Sequence, residues 1–315
     1  MTTLQGRIAL VAGATRGAGR GIACALGEAG ATVYCTGRSV RGKPATKGRR
    51  ETIDETAEMV TARGGKGIPV RCDHTKETDV KKLAARIRRE QKGRLDILVN
   101  DVWGGDALTE FGKTFWQVSL DKGLAMLRQA VHSHIITSRH LGPLMIERGT
   151  GLIVEITDGD SFGYRGNLFY DLVKISVIRL AMIMAYELRK TEITALAVTP
   201  GFLRSEAMLD NFGVKEENWR DAGKKRPDFL HSETPLFVGR AIAALAADPN
   251  VKKKLGQVFS SWNLSDEYGF TDADGSRPHW GRHFAETYGT AKKFDATLYS
   301  YFWESAISLV FPDWP

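Results

Sequence analysis

Tyr170 and Lys174 stand four residues apart in the run Tyr-Asp-Leu-Val-Lys. On a helix, that spacing puts both side chains on one face, one turn apart. A phenol titrates near 10 and is a poor base at neutral pH; a neighbouring ammonium favours its ionised form. Such a pair can take a proton from an alcohol or give one to a carbonyl. The spacing is common by chance, so the chemistry depends on what the rest of the chain brings beside it.

The segment from Arg7 to Ala29 brings a nucleotide-binding pattern. Ile8-Ala9-Leu10-Val11 is an apolar run long enough for one buried parallel strand. A loop with Gly13, Thr15, Arg16, Gly17 and Gly19 follows, and then Ile22, Ala25, Leu26 and Ala29 recur at helical spacing. Strand, glycine loop and helix make up the setting of a dinucleotide site. There the glycines let backbone N–H groups approach a pyrophosphate at a helix N-terminus. Alone, the loop could be an ordinary turn of small residues. The next strand, Thr32 to Thr36, ends in Gly37-Arg38-Ser39, with no acid to hold an adenosine ribose hydroxyl. Arg38, with Arg16 opposite, can pair with a 2′-phosphate instead, which favours NADP(H) over NAD(H).

The elements that must position these groups alternate along the chain. Strands are expected near 7–12, 32–36, 67–72, 95–99, 152–156, 194–198 and 256–259, with helical patterns between most of them. That rhythm predicts an α/β fold: a Rossmann-type doubly wound parallel sheet, one domain with a C-terminal extension. We place the cofactor-binding domain at 1–265, with a substrate lid at about 203–230, and the extension at 266–315. A basic segment, Arg41 to Arg50, reads as a solvated loop or a flap near a 2′-phosphate. The aromatic-rich stretch from Trp103 to Leu124 either roofs a pocket or packs on the core.

Composition narrows the class. The chain has 315 residues, 43% hydrophobic, enough for one large domain with a buried core. Cys24, Cys35 and Cys72 are odd in number and lack metal spacing, which fits reduced thiols in a cytoplasmic protein and no metal site. No secretory leader is evident and no apolar window is long enough to span a bilayer. The net charge of +7 is concentrated locally, around Arg38 to Arg50 and Lys252 to Lys254. That pattern suits a phosphorylated cofactor better than nucleic acid.

The glycine loop, Arg38, Asn100 and the Tyr170/Lys174 pair together resemble the short-chain dehydrogenase/reductase family over roughly residues 7–278. Thr36-Gly37-Arg38, Asp248-Pro249-Asn250 and Leu264 to Pro278 are similar to its subgroup around dehydrogenase/reductase member 1. The resemblance implies that Asp73 contacts the adenine and that Lys174 bonds the nicotinamide ribose. It also implies that Pro200, Gly201 and Ser205 reach the nicotinamide amide. Asn100-Asp101 stands where the family has paired asparagines. The serine that binds the substrate oxygen is replaced: strand phase favours Asp158, spacing fits Thr157 equally, and Ser161 could supply a hydroxyl. The tetrad's asparagine falls at Ala130, with His132 and His134 nearby. A small-molecule carbonyl or alcohol substrate and a homo-oligomer, dimer or tetramer, are further implications. The expected activity is NADP(H)-dependent interconversion of a secondary alcohol and a carbonyl. The alternative is a cofactor-binding sensor or scaffold with little turnover. The near-helical apolar pattern of Phe294, Leu298, Tyr301, Phe302 and Leu309 is expected to pack on protein rather than on a membrane.

Overall fold

The structure is a computed structural model that describes residues 3–160 and 163–289. Ser161 and the apolar pattern beyond Phe294 lie outside the described residues.

All seven expected strands form: β1 (Ile8–Ala12), β2 (Thr32–Gly37), β3 (Lys66–Arg71), β4 (Ile97–Asn100), β5 (Thr150–Ile156), β6 (Glu192–Thr199) and β7 (Val258–Ser260). They make one parallel sheet in the order β3-β2-β1-β4-β5-β6-β7. Ten α-helices accompany them among the described residues: α1 (Gly17–Glu28), α2 (Ile53–Ala62), α3 (Glu77–Glu90), α4 (Leu120–Leu127), α5 (Ser133–Ile146), α6 (Leu168–Glu187), α7 (Glu206–Phe212), α8 (Pro235–Ala247), α9 (Ser261–Tyr268) and α10 (Trp280–Tyr288).

Side-chain alternation along β1 shows why both faces of the sheet must be covered. Ala9 and Val11 join a core with Ile22 and Leu26 of α1, Ala57 and Val60 of α2, and Val238 and Ile242 of α8. Ile8, Leu10 and Ala12 face the opposite core, with Val80 and Leu83 of α3 and Leu141 and Leu144 of α5. Strand order reverses between β1 and β4, so the crevice for a ligand opens at the carboxyl ends of these two strands.

Local chemistry sets the helix starts. Thr52 caps α2 by accepting the Glu55 N–H, and Asn167 caps α6 by accepting the N–H groups of Phe169 and Tyr170. The Asn167 cap sets the first turn of the helix that carries Tyr170 and Lys174. Between α4 and α5 the chain makes a π-helical turn, Arg128–His132, a wide turn that often marks functional sites.

The stretch after β6 has its own small core. Trp219 and Phe229 are buried with Phe202 and Phe212, and the Arg204 guanidinium stacks 3.9 Å from the Trp219 ring. The described part of the extension lies on it: Trp280 of α10 packs against Phe202, and His283 and Tyr288 bond the Asp228 carboxylate. No helix among the described residues is long and apolar enough to cross a membrane.

Candidate active site

Gly13 ends the first turn of the glycine loop at φ +94°, where a Cβ would lie 2.4 Å from the Asp101 carbonyl oxygen. A Cβ at Gly19 would lie 2.4 Å from the Gly13 carbonyl and 2.8 Å from Asp101 Oδ2. The loop therefore needs glycine for close approach of β4's end as well as for its turn. A Cβ at Gly37 would lie 2.6 Å from Thr15 Oγ1, which seats Thr15 against the end of β2. At the N-terminus of α1 the Gly17 N–H donates to Glu206 Oε2 of α7 at 2.8 Å. A carboxylate thus sits where the helix dipole and unpaired N–H groups attract anions, and this arrangement fits a dinucleotide's phosphates.

The basic groups gather beside it. Arg16 Nη2 donates to Thr46 Oγ1 at 3.1 Å, drawing the basic segment against the glycine loop. Arg49 pairs with Glu51 and with Asp210 of α7, both at 2.6 Å, and Arg41 pairs with Glu58 at 2.7 Å. Arg38 is exposed at the end of β2. Burial raises the Asp73 carboxyl, but bonds from Thr75 and the charge of Arg38 outweigh it and hold the group below its ordinary value.

Tyr170 and Lys174 share the face of α6 that looks toward the ends of β4 and β5. The Tyr170 hydroxyl donates to Asp158 Oδ2 at 2.6 Å. Trp103 meets the Tyr170 ring edge-to-face at 5.4 Å, and Phe111 is tilted against it at 5.5 Å. Lys174 Nζ lies 4.4 Å from the centre of the Trp103 ring. A narrow cleft with space for about one water molecule is lined by Lys174, Asp101, Trp103, Ala130 and His134. Through Asp101 this cleft adjoins the glycine loop, so both halves of the expected site meet.

The phenol of Tyr170 is pushed well above its ordinary value, by burial first and then by the Asp158 carboxylate. Burial likewise lowers the Lys174 ammonium against the charges of Asp158 and Asp101. The Thr157 hydroxyl donates to the Lys174 carbonyl at 2.7 Å. The Asn100 side chain is fully buried and donates to Glu155 Oε1 at 2.7 Å and Ser138 Oγ at 2.9 Å.

Other expected residues fall around the same mouth. The Gly201 N–H donates to Glu233 Oε2 at 2.9 Å, and Pro200 precedes it. Ser205 caps α7, and its Cβ is 3.8 Å from where a Cβ at Gly17 would lie. Of the two candidate histidines, His134 lines the cleft. Its Nδ1 lies 2.6 Å from Glu155 Oε2 and its Nε2 lies 3.1 Å from the Val102 carbonyl. Glu155 escaped the sequence argument; the available signal was a lone acid inside an apolar strand. Trp103 was placed only in a variable stretch, yet its ring sits under the lysine. Burial also raises the Asp101 carboxyl to about 7, against the opposing charges of Lys174 and His134.

A parallel doubly wound sheet, an anion-seeking helix terminus at its switch point and a tyrosine–lysine pair facing it define a nucleotide-dependent oxidoreductase. The short chain dehydrogenase family profile matches residues 7–215. Dehydrogenase/reductase SDR family member 1 of Mus musculus is 36% identical over 276 residues, 86% of this chain and 85% of the mouse protein. The Homo sapiens protein of that name is 34% identical over the same shares. The L-sorbose reductase of Gluconobacter frateurii, solved with NADPH and L-sorbose, superposes with a TM-score of 0.68 at 18% identity, covering 82% of this chain and 96% of that one. The chain belongs to the short-chain dehydrogenase/reductase family and is an oxidoreductase of that family.

Proposed function

We propose that the protein interconverts a secondary alcohol and a carbonyl compound with NADP(H). The observation that carries this is the convergence of Tyr170, Lys174 and Asp158 at the carboxyl ends of β4 and β5, beside the glycine loop. The bound nicotinamide supplies or accepts the hydride. Tyr170, held protonated, gives its proton to the nascent alkoxide, and the Lys174 ammonium stabilises the phenolate left behind. Asp158 borders the substrate oxygen, and Ser161 remains a candidate hydroxyl. Gly13, Thr15, Gly17 and Gly19 are proposed to hold the pyrophosphate, and Arg16 and Arg38 the 2′-phosphate. Asp73 would hold the adenine, and Pro200, Gly201 and Ser205 the nicotinamide amide. The chain divides on this reading as 1–265 and 266–315, acts in the cytoplasm and assembles into a homo-oligomer. Exposed Leu172, Met182, Ile183 and Tyr186 on α6 support that assembly.

The second reading, a cofactor-binding module with little turnover, draws on Ala130 lining the cleft and on the carboxylate of Asp158. One experiment separates the two. NADPH absorbance is followed with a carbonyl panel for the wild type, Tyr170→Phe and Arg38→Asp. The main reading expects turnover that falls about 10³-fold in Tyr170→Phe. In Arg38→Asp, NADPH binding weakens far more than NADH binding. Tight NADPH binding with no turnover across the panel selects the module, and equal loss of both cofactors in Arg38→Asp removes the preference for NADP.

A further inference from the structure

The position that borders the reacting atom is acidic, and that acid is arranged to accept hydrogen bonds. The Tyr170 hydroxyl donates to Asp158 Oδ2, and among the described residues no other donor reaches the carboxylate; Arg165 bonds the Asp158 backbone carbonyl. An ionised carboxylate cannot donate to a carbonyl oxygen. Hydride addition to a neutral C=O builds negative charge on that oxygen, next to a group already negative. Hydride addition to a protonated C=N does the reverse: it removes a positive charge, and no oxyanion forms. The iminium N–H is the donor that Asp158 lacks. Two aromatic rings border the same point, Trp103 and Phe111, and Phe111 is 62% exposed at the mouth, where it can cover an apolar cation.

We propose that this site also reduces protonated cyclic imines to amines, with Asp158 as the carboxylate that binds the iminium nitrogen. The inference rests on the reading that the site exchanges hydride with a bound nicotinamide. The imine carbon takes a hydride from reduced nicotinamide dinucleotide, forming a C–H bond. The C=N π pair becomes the lone pair of nitrogen, whose N–H proton stays in place. The products are a neutral secondary amine and the oxidised, positively charged nicotinamide, so charge and electrons balance. Tyr170 donates no proton in this step; its hydroxyl holds Asp158 in place.

The test uses the whole protein with NADPH and a matched pair: 3,4-dihydroisoquinoline, supplied where it is protonated, and the ketone 1-tetralone. The wild type is expected to reduce the imine with a kcat/KM about tenfold or more above that of the ketone, and Asp158→Ser to reverse the order. A binding readout accompanies this. Tetrahydroisoquinoline, as its ammonium form, should quench the tryptophan emission of cofactor-free protein with a Kd about tenfold below that of 1-tetralol, and Asp158→Asn should erase the difference. Ketone reduction without imine reduction overturns this inference alone, as does equal binding of ammonium and alcohol. Failure to oxidise NADPH with any substrate overturns the hydride reading and the imine activity together.

Discussion

Burial raises both Tyr170 and Asp101, and the two groups titrate in different pH ranges. The phenol is raised well above its ordinary value by burial and by Asp158, so it stays protonated through neutral and mildly alkaline solution. The proton-donating direction therefore needs no ionisation of Tyr170, and carbonyl reduction should show no tyrosine break below pH 10. Alcohol oxidation, which needs the phenolate, should climb toward the alkaline end. A break near pH 7 belongs to Asp101, whose carboxyl is raised to about 7, and Asp101→Asn should erase it while leaving the alkaline limb. Initial rates from pH 5 to 10 in both directions check this. Glu233 is 1% exposed, and burial raises its carboxyl to about 8 against bonds from Ser261 and the Gly201 N–H. A raised carboxyl gives stability that is full below its unfolded value, about 4.5, and that is lost as pH rises through about 8. Melting should accordingly fall from pH 6 to 9. Glu233→Gln should flatten that fall, adding roughly 2–4 kcal/mol at pH 9. At this scale the tyrosine and lysine were legible because a four-residue spacing is itself helical geometry. Thr157 and Asp158 were not separable by spacing, since adjacent residues on a strand differ only by which face they take; in the structure the Thr157 hydroxyl meets the Lys174 carbonyl and the Asp158 carboxylate meets the Tyr170 hydroxyl.

Helix α1 and helix α8 touch through two glycines. A Cβ at Gly21 would lie 1.9 Å from the Pro235 carbonyl oxygen, and one at Gly239 would lie 2.4 Å from the Gly21 carbonyl. Gly21→Ala must push the helices apart and is expected to cost about 3 kcal/mol or more. In contrast, Gly142 inside α5 would meet nothing within 4 Å, and Gly142→Ala should be neutral or stabilising by about 0.5–1 kcal/mol. Urea midpoints of both variants test the pair. The inner strands, β1 and β4 above all, were readable as apolar runs, because a parallel strand covered on both faces needs them, whereas edge strand β3, with no buried residue, was readable from its place in the alternation. The π-helical turn at Arg128–His132 was not readable, since its extra residue has no side-chain signature.

Across the whole molecule, α5 and α6 leave an apolar strip uncovered: Ile135 and Ile146 on one helix, Leu172, Met182, Ile183 and Tyr186 on the other. Placing a charge there with Ile183→Glu should shift the sedimentation of a homo-oligomer toward the monomer, with the melting of the single chain little changed. A wild type that already sediments as a monomer would remove this prediction. The lid and extension were the least legible parts. A charged stretch read as a substrate lid encloses Trp219 and Phe229, and the Trp280, Phe284 and Tyr288 series on α10 was not recognised as a helix covering it.

The bond from the Gly17 N–H to Glu206 has a consequence for the order of events. A diphosphate held there as proposed would compete with this side chain for one positive terminus, and Arg20 adds a second attraction for Glu206 at 3.6 Å. On the proposed function, dinucleotide entry would displace Glu206 from this terminus, with Arg49 still holding Asp210 of α7. Neutralising the rival in Glu206→Gln should tighten NADPH binding, read by titration. Weaker or unchanged binding would mean the two anions do not exclude each other.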